Sequence, residues 1–159
     1  MPTKDHPPTA HRRVLAVSST GGHWEQLMLL APAFDGADVI FACTDARQAE
    51  GRKLPAFIAL RDYNRNQPLR TLAGVFETFN IVWRLRPDVI VSTGAAPGLL
   101  CLLWGRLFSA RTIWIDSIAN SEELSMSGKL ARKFCHRVLT QWQHLERADG
   151  NPSYWGSVL

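Results

Sequence analysis

The chain has 159 residues, 46% of them hydrophobic and 20% charged, with a formal net charge of +4 and six tryptophans. That length and balance fit a single domain with a sizeable core and exclude a disordered chain. No stretch offers the roughly 18 uninterrupted apolar residues of a membrane span, and the basic balance favours partners that carry phosphate: anionic lipid, nucleotide or nucleic acid.

Met1 to His11 contains Pro and His and lacks an apolar core, so it reads as a loose tail and not as a signal peptide or anchor. Residues 12–159 read as one domain. Arg12 to Val17 is a short buried strand, Ser18-Ser19-Thr20-Gly21-Gly22-His23 a glycine turn, and Trp24 to Leu30 a helix that opens at the turn. Gly21 and Gly22 permit positive φ and close approach of another molecule's oxygens. The first free N–H groups of the helix, with its dipole, suit an anion such as phosphate. His23 stands at the lip of that site. A plain strand-to-helix connection accounts for the same spacing.

Further along, Ala37–Thr44 is a second apolar strand, Asp45–Lys53 a short helix or loop, Ala56–Leu60 a third strand and Arg61–Pro68 a turn-rich loop. Leu69–Arg86 has Leu69, Leu72, Val75, Phe76, Phe79, Val82 and Trp83 at helical spacing on one face. Pro87 ends that helix, and the strand Asp88–Thr93 leads to a small-residue turn, Gly94–Gly98, and an apolar helix, Leu99–Phe108. A fifth strand (Arg111–Ser117), a polar loop (Ile118–Ser125), a basic helix (Met126–His136) and a sixth strand (Arg137–Trp142) follow. The alternation predicts an α/β fold: a Rossmann-like, doubly wound, mostly parallel sheet of about six strands with helices on both faces. The three cysteines lack CxxC spacing and read as free thiols in a reducing compartment.

In such sheets ligands gather beyond the carboxyl ends of the strands. The segments that end there are Ser18–His23, Thr44–Arg47, Ser92–Pro97, Asp116–Asn120 and the stretch after Trp142. Ser19, Thr20, Gly21, Gly22, Thr93, Gly94, Ala95 and Ser117 are the candidate contacts to a diphosphate, and His23 or Asp116 the candidate base for an attacking hydroxyl. A capping or packing role for His23, and a strand-end carboxylate accepting backbone N–H bonds for Asp116, are the plainer readings of the same residues. GxGxxG and GxxxxGK[ST] are both absent, which disfavours a dinucleotide site and a Walker NTPase. No metal or cofactor is expected.

Taken in order, Ser18–His23, Ser92–Pro97 and Ile115-Asp116-Ser117 resemble one family, and Leu124–Leu130, Gln141-Trp142 and Tyr154-Trp155-Gly156 fit it too. That family is the membrane-associated, acceptor-side subunit of the split N-acetylglucosaminyltransferase acting on dolichyl-diphosphate glycan precursors, with bacterial relatives in capsule and exopolysaccharide assembly. The resemblance spans Arg13–Leu159 and implies the N-terminal half of a GT-B glycosyltransferase, similar to that of the MurG enzyme of peptidoglycan synthesis. It implies a companion subunit that binds the donor UDP-sugar, a polyprenyl-diphosphate-linked acceptor, and a glycine turn near the acceptor's diphosphate with His23 near the attacking hydroxyl. Asp116 stands where relatives usually carry Glu. The family's eukaryotic members have an N-terminal membrane helix and this chain does not, so peripheral attachment to the cytoplasmic face of the membrane is expected, with Leu69–Arg86 and Leu99–Phe108 as candidate contacts. Both helices are otherwise core helices or a subunit interface. The other reading is a self-sufficient nucleotide- or flavin-binding protein of Rossmann or flavodoxin type. A nucleic-acid partner is not expected, for charge alone would carry it.

Overall fold

Apolar runs of four to six residues at Arg13–Ser18 (β1), Asp38–Cys43 (β2), Val89–Ser92 (β4), Arg111–Ile115 (β5) and Arg137–Thr140 (β6) alternate with helices, as a sheet buried on both faces requires. The computed structural model describes residues 11–61 and 68–158. With Phe57–Ala59 (β3) and Ser153–Tyr154 (β7), the strands form one sheet in the order β3-β2-β1-β4-β5-β6-β7, every neighbouring pair parallel. The expected fold class holds, with one strand more than the sequence suggested. β7 is two polar-flanked residues paired with Leu139 and Thr140, too short to carry a periodic signal.

The helices are α1 (Gly22–Leu30), α2 (Pro68–Leu85), α3 (Ala95–Leu107) and α4 (Met126–Ala131). Trp24 and Leu27 of α1 are fully buried on one face of the sheet with Val14, Ala16, Phe41 and Val91. Trp24 stands edge-on to Phe41 and Phe57 at 6.2 and 5.9 Å, a geometry worth about 0.5–1.5 kcal/mol per pair beyond area burial. On the opposite face Val82 of α2, Cys101 and Leu102 of α3 and Ala131 of α4 pack on Leu15, Val17, Ile90, Trp114 and Val138.

Three helix expectations need correction. The apolar stripe of α2 is two stripes: Gly74, Thr78 and Val82 face the core, whereas Leu72 (53% exposed), Phe76 (65%), Phe79 (38%) and Trp83 (47%) face outward. Thr78 makes this possible: its Oγ1 donates to Gly74 O at 2.7 Å and accepts from Trp104 Nε1 at 3.2 Å, so small residues let α3 approach. α3 starts at Ala95 and not Leu99, because Pro97 falls in the first turn, where no N–H is needed. The basic helix stops at Ala131 instead of His136, passing into tight turns with Lys133 N donating to Leu130 O and Phe134 N to Ala131 O. The three cysteines are free and buried. Of the expected N-terminal tail, residues 1–10 lie outside the described residues, as do residues 62–67 of the turn-rich loop.

Candidate functional site at the strand switch point

The strand order reverses between β1 and β4, and a crevice opens beyond the carboxyl ends of strands at such a point. Two helices begin there. α1 is capped by Gly21, whose φ of 76° lies in the left-handed region that favours glycine, and no side chain caps its N-terminal amides. α3 follows Gly94, again without a side-chain cap, and its first residue, Ala95, has a φ of 63°. A left-handed alanine is strained, and such strain is concentrated where a tight backbone path is needed.

His23 is held between these two turns. Thr93 Oγ1 donates to His23 O at 2.7 Å, and Thr93 N donates to Val17 O at 3.3 Å, which ties the β4 end to β1 and α1. The ring lies against Gly94, where an added methyl would overlap the imidazole. Gly94 is extended (φ 164°), so contact with His23, not backbone conformation, is what requires a glycine. His23 Nδ1 is buried without a hydrogen-bond partner, and among the described residues no carboxylate stands behind it. Gly21 and Gly22 face open space. Thr20 is exposed, and it is held to the neighbouring β2 end, its N donating to Thr44 Oγ1 at 3.2 Å and its Oγ1 accepting from Gln48 Nε2 at 3.2 Å.

Asp116 is differently employed. It is 2% exposed, and both carboxylate oxygens are occupied: Oδ1 accepts from Trp114 Nε1 at 3.0 Å and Ser125 Oγ at 2.6 Å, and Oδ2 accepts from Ser125 N at 2.8 Å. Ser125 Oγ in turn accepts from Gly128 N at 2.9 Å and caps α4, so the carboxylate holds the start of that helix. Ser117 is half-buried and its Oγ accepts from Ala119 N at 3.3 Å. The structure therefore brings His23, Gly21, Gly22, Thr93, Gly94 and Ala95 to one place, with Ser19 at the β1 end, and turns the Asp116 side chain towards α4.

Two residues that pattern reading passes over tie these parts together. Gln26 of α1 and Gln141 after β6 both donate to the backbone oxygen of Asp116, at 3.2 and 3.1 Å, and are 4% and 5% exposed. Gln141 Oε1 also accepts from Val158 N at 3.1 Å, which anchors the carboxyl-terminal segment beside the site. A glutamine inside an apolar helix turn, one residue before Leu27, was the available signal. Asp45, at the end of β2, is bound by Arg47 at 3.0 and 2.9 Å, and that bond holds its carboxyl below the usual carboxylate range. It is thus committed to its own turn and not free for a ribose. Among the described residues no three His, Cys, Asp or Glu side chains gather to hold a metal ion.

A family model described as oligosaccharide biosynthesis protein Alg14-like matches residues 61–158. The chain belongs to the Alg14-like family. The Alg14-like match includes Thr93–Ala95 and Asp116, and longer likenesses to family members reach the glycine turn. The UDP-N-acetylglucosamine transferase subunit ALG14 of Eremothecium gossypii is 26% identical over 180 residues, covering 93% of this chain and 80% of that protein. The Mus musculus protein of the same description is 25% identical over 187 residues, covering 96% and 85%. Among solved structures, MurG of Acinetobacter baumannii superposes with a TM-score of 0.74 at 14% identity, over 90% of this chain but 45% of MurG. UDP-N-acetylglucosamine 2-epimerase of Rickettsia bellii gives 0.69, also at 14%, over 93% of this chain and 45% of the epimerase. The Alg14-like fold is thus shared with somewhat less than half of these larger GT-B-type chains.

Proposed function

We propose that the chain is the acceptor-binding, partner-recruiting half of a two-component UDP-sugar glycosyltransferase that works on a polyprenyl-diphosphate-linked sugar in oligosaccharide or polysaccharide assembly. The observation that carries this reading is the β1–β4 switch point, where a histidine is packed between two uncapped helix starts, in a chain that spans 45% of MurG. Uncapped amides and open glycines suit the acceptor's diphosphate. With Nδ1 buried against Gly94, Nε2 is the nitrogen of His23 left to take the proton of the acceptor hydroxyl as it attacks the sugar's anomeric carbon. Asp116 is assigned a positioning role, through Ser125 and α4. The donor UDP-sugar is held by the companion subunit.

The outward stripe of α2 supports peripheral attachment to the membrane's cytoplasmic face. Phe76, Phe79 and Trp83 are exposed, Phe108 packs against Phe79 and Trp83, and the Arg86 guanidinium lies 4.0 Å from the Trp83 ring centroid. Aromatic rings with an adjacent cation suit the headgroup region of an anionic leaflet. No helix among the described residues is long and apolar enough to cross a membrane.

Titration of the 15N-labelled chain with a short-chain polyprenyl-diphosphate N-acetylglucosamine tests the acceptor assignment. Shifts are expected at the amides of Gly21, Gly22, His23 and Gly94, and none with UDP-N-acetylglucosamine. Saturable binding of the UDP-sugar by this chain alone would place the donor site here and overturn the division of labour.

A further inference from the structure

The amino-terminal end of the strands, opposite the switch point, collects cations that no carboxylate answers. Arg106 lies at the end of α3, Arg111 opens β5, and His136 and Arg137 lead into β6. The three arginines are exposed, and none has an ion-pair partner among the described residues. Arg47 and Arg52, by contrast, hold Asp45 and Glu25 at 2.9 and 3.1 Å. The elements around the cluster, α3, β5, α4 and β6, contain no acidic residue. Asp88, ahead of β4 and beside Arg111, accepts from Arg13 N at 2.8 Å through its Oδ2.

His136 shows what the cluster lacks. Its imidazole is pinned on Thr112, which is fully buried: Thr112 N donates to Nδ1 at 3.1 Å, and Thr112 Oγ1 lies 2.9 Å from the same nitrogen. His136 N donates to Thr112 Oγ1 at 3.1 Å. On the other side of the ring, Arg106 Nη1 stands 3.2 Å from Nε2. A neutral imidazole has one lone pair, and a guanidinium only donates. Thr112 N–H claims that lone pair at Nδ1, because a buried backbone donor left without a partner is costly. Nε2 then carries the proton, and it faces the Arg106 donor with no acceptor to serve either. Burial first, then the Arg106 and Arg111 charges, hold the His136 pKa below its ordinary value. Its ionisable neighbours in the chain, Lys133, Cys135 and Arg137, add no carboxylate. The missing partner is an acceptor with negative charge.

We infer that Arg106, His136 and Arg111 form an anion site of their own, which takes a phosphate monoester. Such a group brings a charge of about −1.5 to −2 at neutral pH and three acceptor oxygens. That is enough to accept from both guanidinium groups and from His136 Nε2 together. A diester, with a single charge and two free oxygens, leaves one of these donors unanswered. The site is separate from the candidate acceptor site. At 1.5 Å per residue, α3 carries Arg106 roughly 16 Å from Ala95, farther than one diphosphate reaches. The two-component reading does not enter, so the two stand or fall independently. Two sources offer the same group: a soluble phosphorylated compound and the headgroup of a phosphatidic acid lipid. Phe108, just beyond Arg106, packs on Phe79 and Trp83, so the site adjoins the outward stripe of α2.

The test records amide and imidazole NMR spectra of the full chain at low salt, titrated with methyl phosphate and with dimethyl phosphate. Methyl phosphate is expected to shift Thr112 and His136 saturably, to raise the His136 pKa, and to leave Gly21 and His23 in place. Dimethyl phosphate is expected to bind at least tenfold more weakly. Arg106→Gln with Arg111→Gln, both surface changes, is expected to weaken methyl phosphate at least tenfold; circular dichroism checks folding, and Arg106→Gln alone serves if the pair does not fold. Co-sedimentation with phosphatidylcholine vesicles carrying phosphatidic acid or phosphatidylglycerol separates the sources. A phosphatidic acid preference that the arginine variant loses assigns the site to a lipid. Methyl phosphate binding without that preference assigns it to a soluble compound. The site is overturned if methyl phosphate gives no saturable shift and phosphatidic acid no preference, or if the diester binds equally. Undiminished binding by the arginine variant overturns it too, as do shifts confined to Gly21, Gly22 and His23, which would give the phosphate to the switch point.

Discussion

Replacing Gly94 with alanine separates the position of His23 from the integrity of the fold. Gly94 is extended, at φ 164° and ψ 168°, so alanine meets no backbone penalty. The whole cost is the overlap of one methyl with the His23 imidazole. His23 is only half-buried and can swing aside, so the stability loss falls in the range of a modest overpacking change, about 1–3 kcal/mol. The overlap demands a displacement on the order of 1 Å, and a misplacement of that size costs about a hundredfold in rate. The assay is sugar transfer by the chain with its companion, alongside urea denaturation of the chain alone. Gly94→Ala is expected to lose about two orders of magnitude in kcat with a small change in urea midpoint. His23→Ala is expected to lose at least as much, and adding Gly94→Ala to it to cost little more, since the clash is then gone. Full activity in Gly94→Ala, or multiplicative losses in the double variant, would refute the placement of His23 at the reacting hydroxyl.

Other outcomes follow from the same geometry. Asp116→Ala strips the acceptor from Trp114 Nε1, Ser125 N and Ser125 Oγ, and is expected to destabilise the fold by about 3–5 kcal/mol by urea denaturation; unchanged stability with abolished transfer would make Asp116 a chemical participant. Phe76→Ser with Trp83→Ser is expected to reduce co-sedimentation with phosphatidylglycerol vesicles at least tenfold while leaving transfer to a water-soluble acceptor intact, and undiminished co-sedimentation would move the membrane contact elsewhere. Burial pushes the Cys101 and Cys135 thiols up to about 12 from an ordinary 9.0. Unfolded thiols ionise first as pH rises, so the stability due to these neutral thiols is complete below pH 9 and is lost between about 9 and 12. Iodoacetamide at pH 8 is therefore expected to spare both in the native chain and modify both in urea, and rapid native alkylation would contradict their burial.

How far the sequence discloses this arrangement depends on what each residue type can signal. The strands and the switch point were legible because apolar runs, glycine turns and Pro87 act locally, and their order leaves few topologies. α2 shows the limit. Its seven apolar residues fit one helical face, yet Thr78 takes a core position and Leu72, Phe76, Phe79 and Trp83 are left outside. Composition marks a threonine as polar; only the partner Trp104, contributed by α3, makes it a core residue. At the candidate site the glycines and His23 announced themselves, whereas Gln26 and Gln141 did not, because their acceptor is a backbone oxygen distant in sequence. The carboxylate of Asp116 was visible and its commitment to Ser125 was not: a capping serine nine residues on is one of many.

The most direct test of the two-component account is transfer of radiolabelled N-acetylglucosamine from its UDP derivative to a membrane lipid extract. This chain, the polypeptide of the neighbouring gene, and both together are compared. Organic-extractable product with both present, and with neither alone, is the expected result. Product from this chain alone would contradict the account.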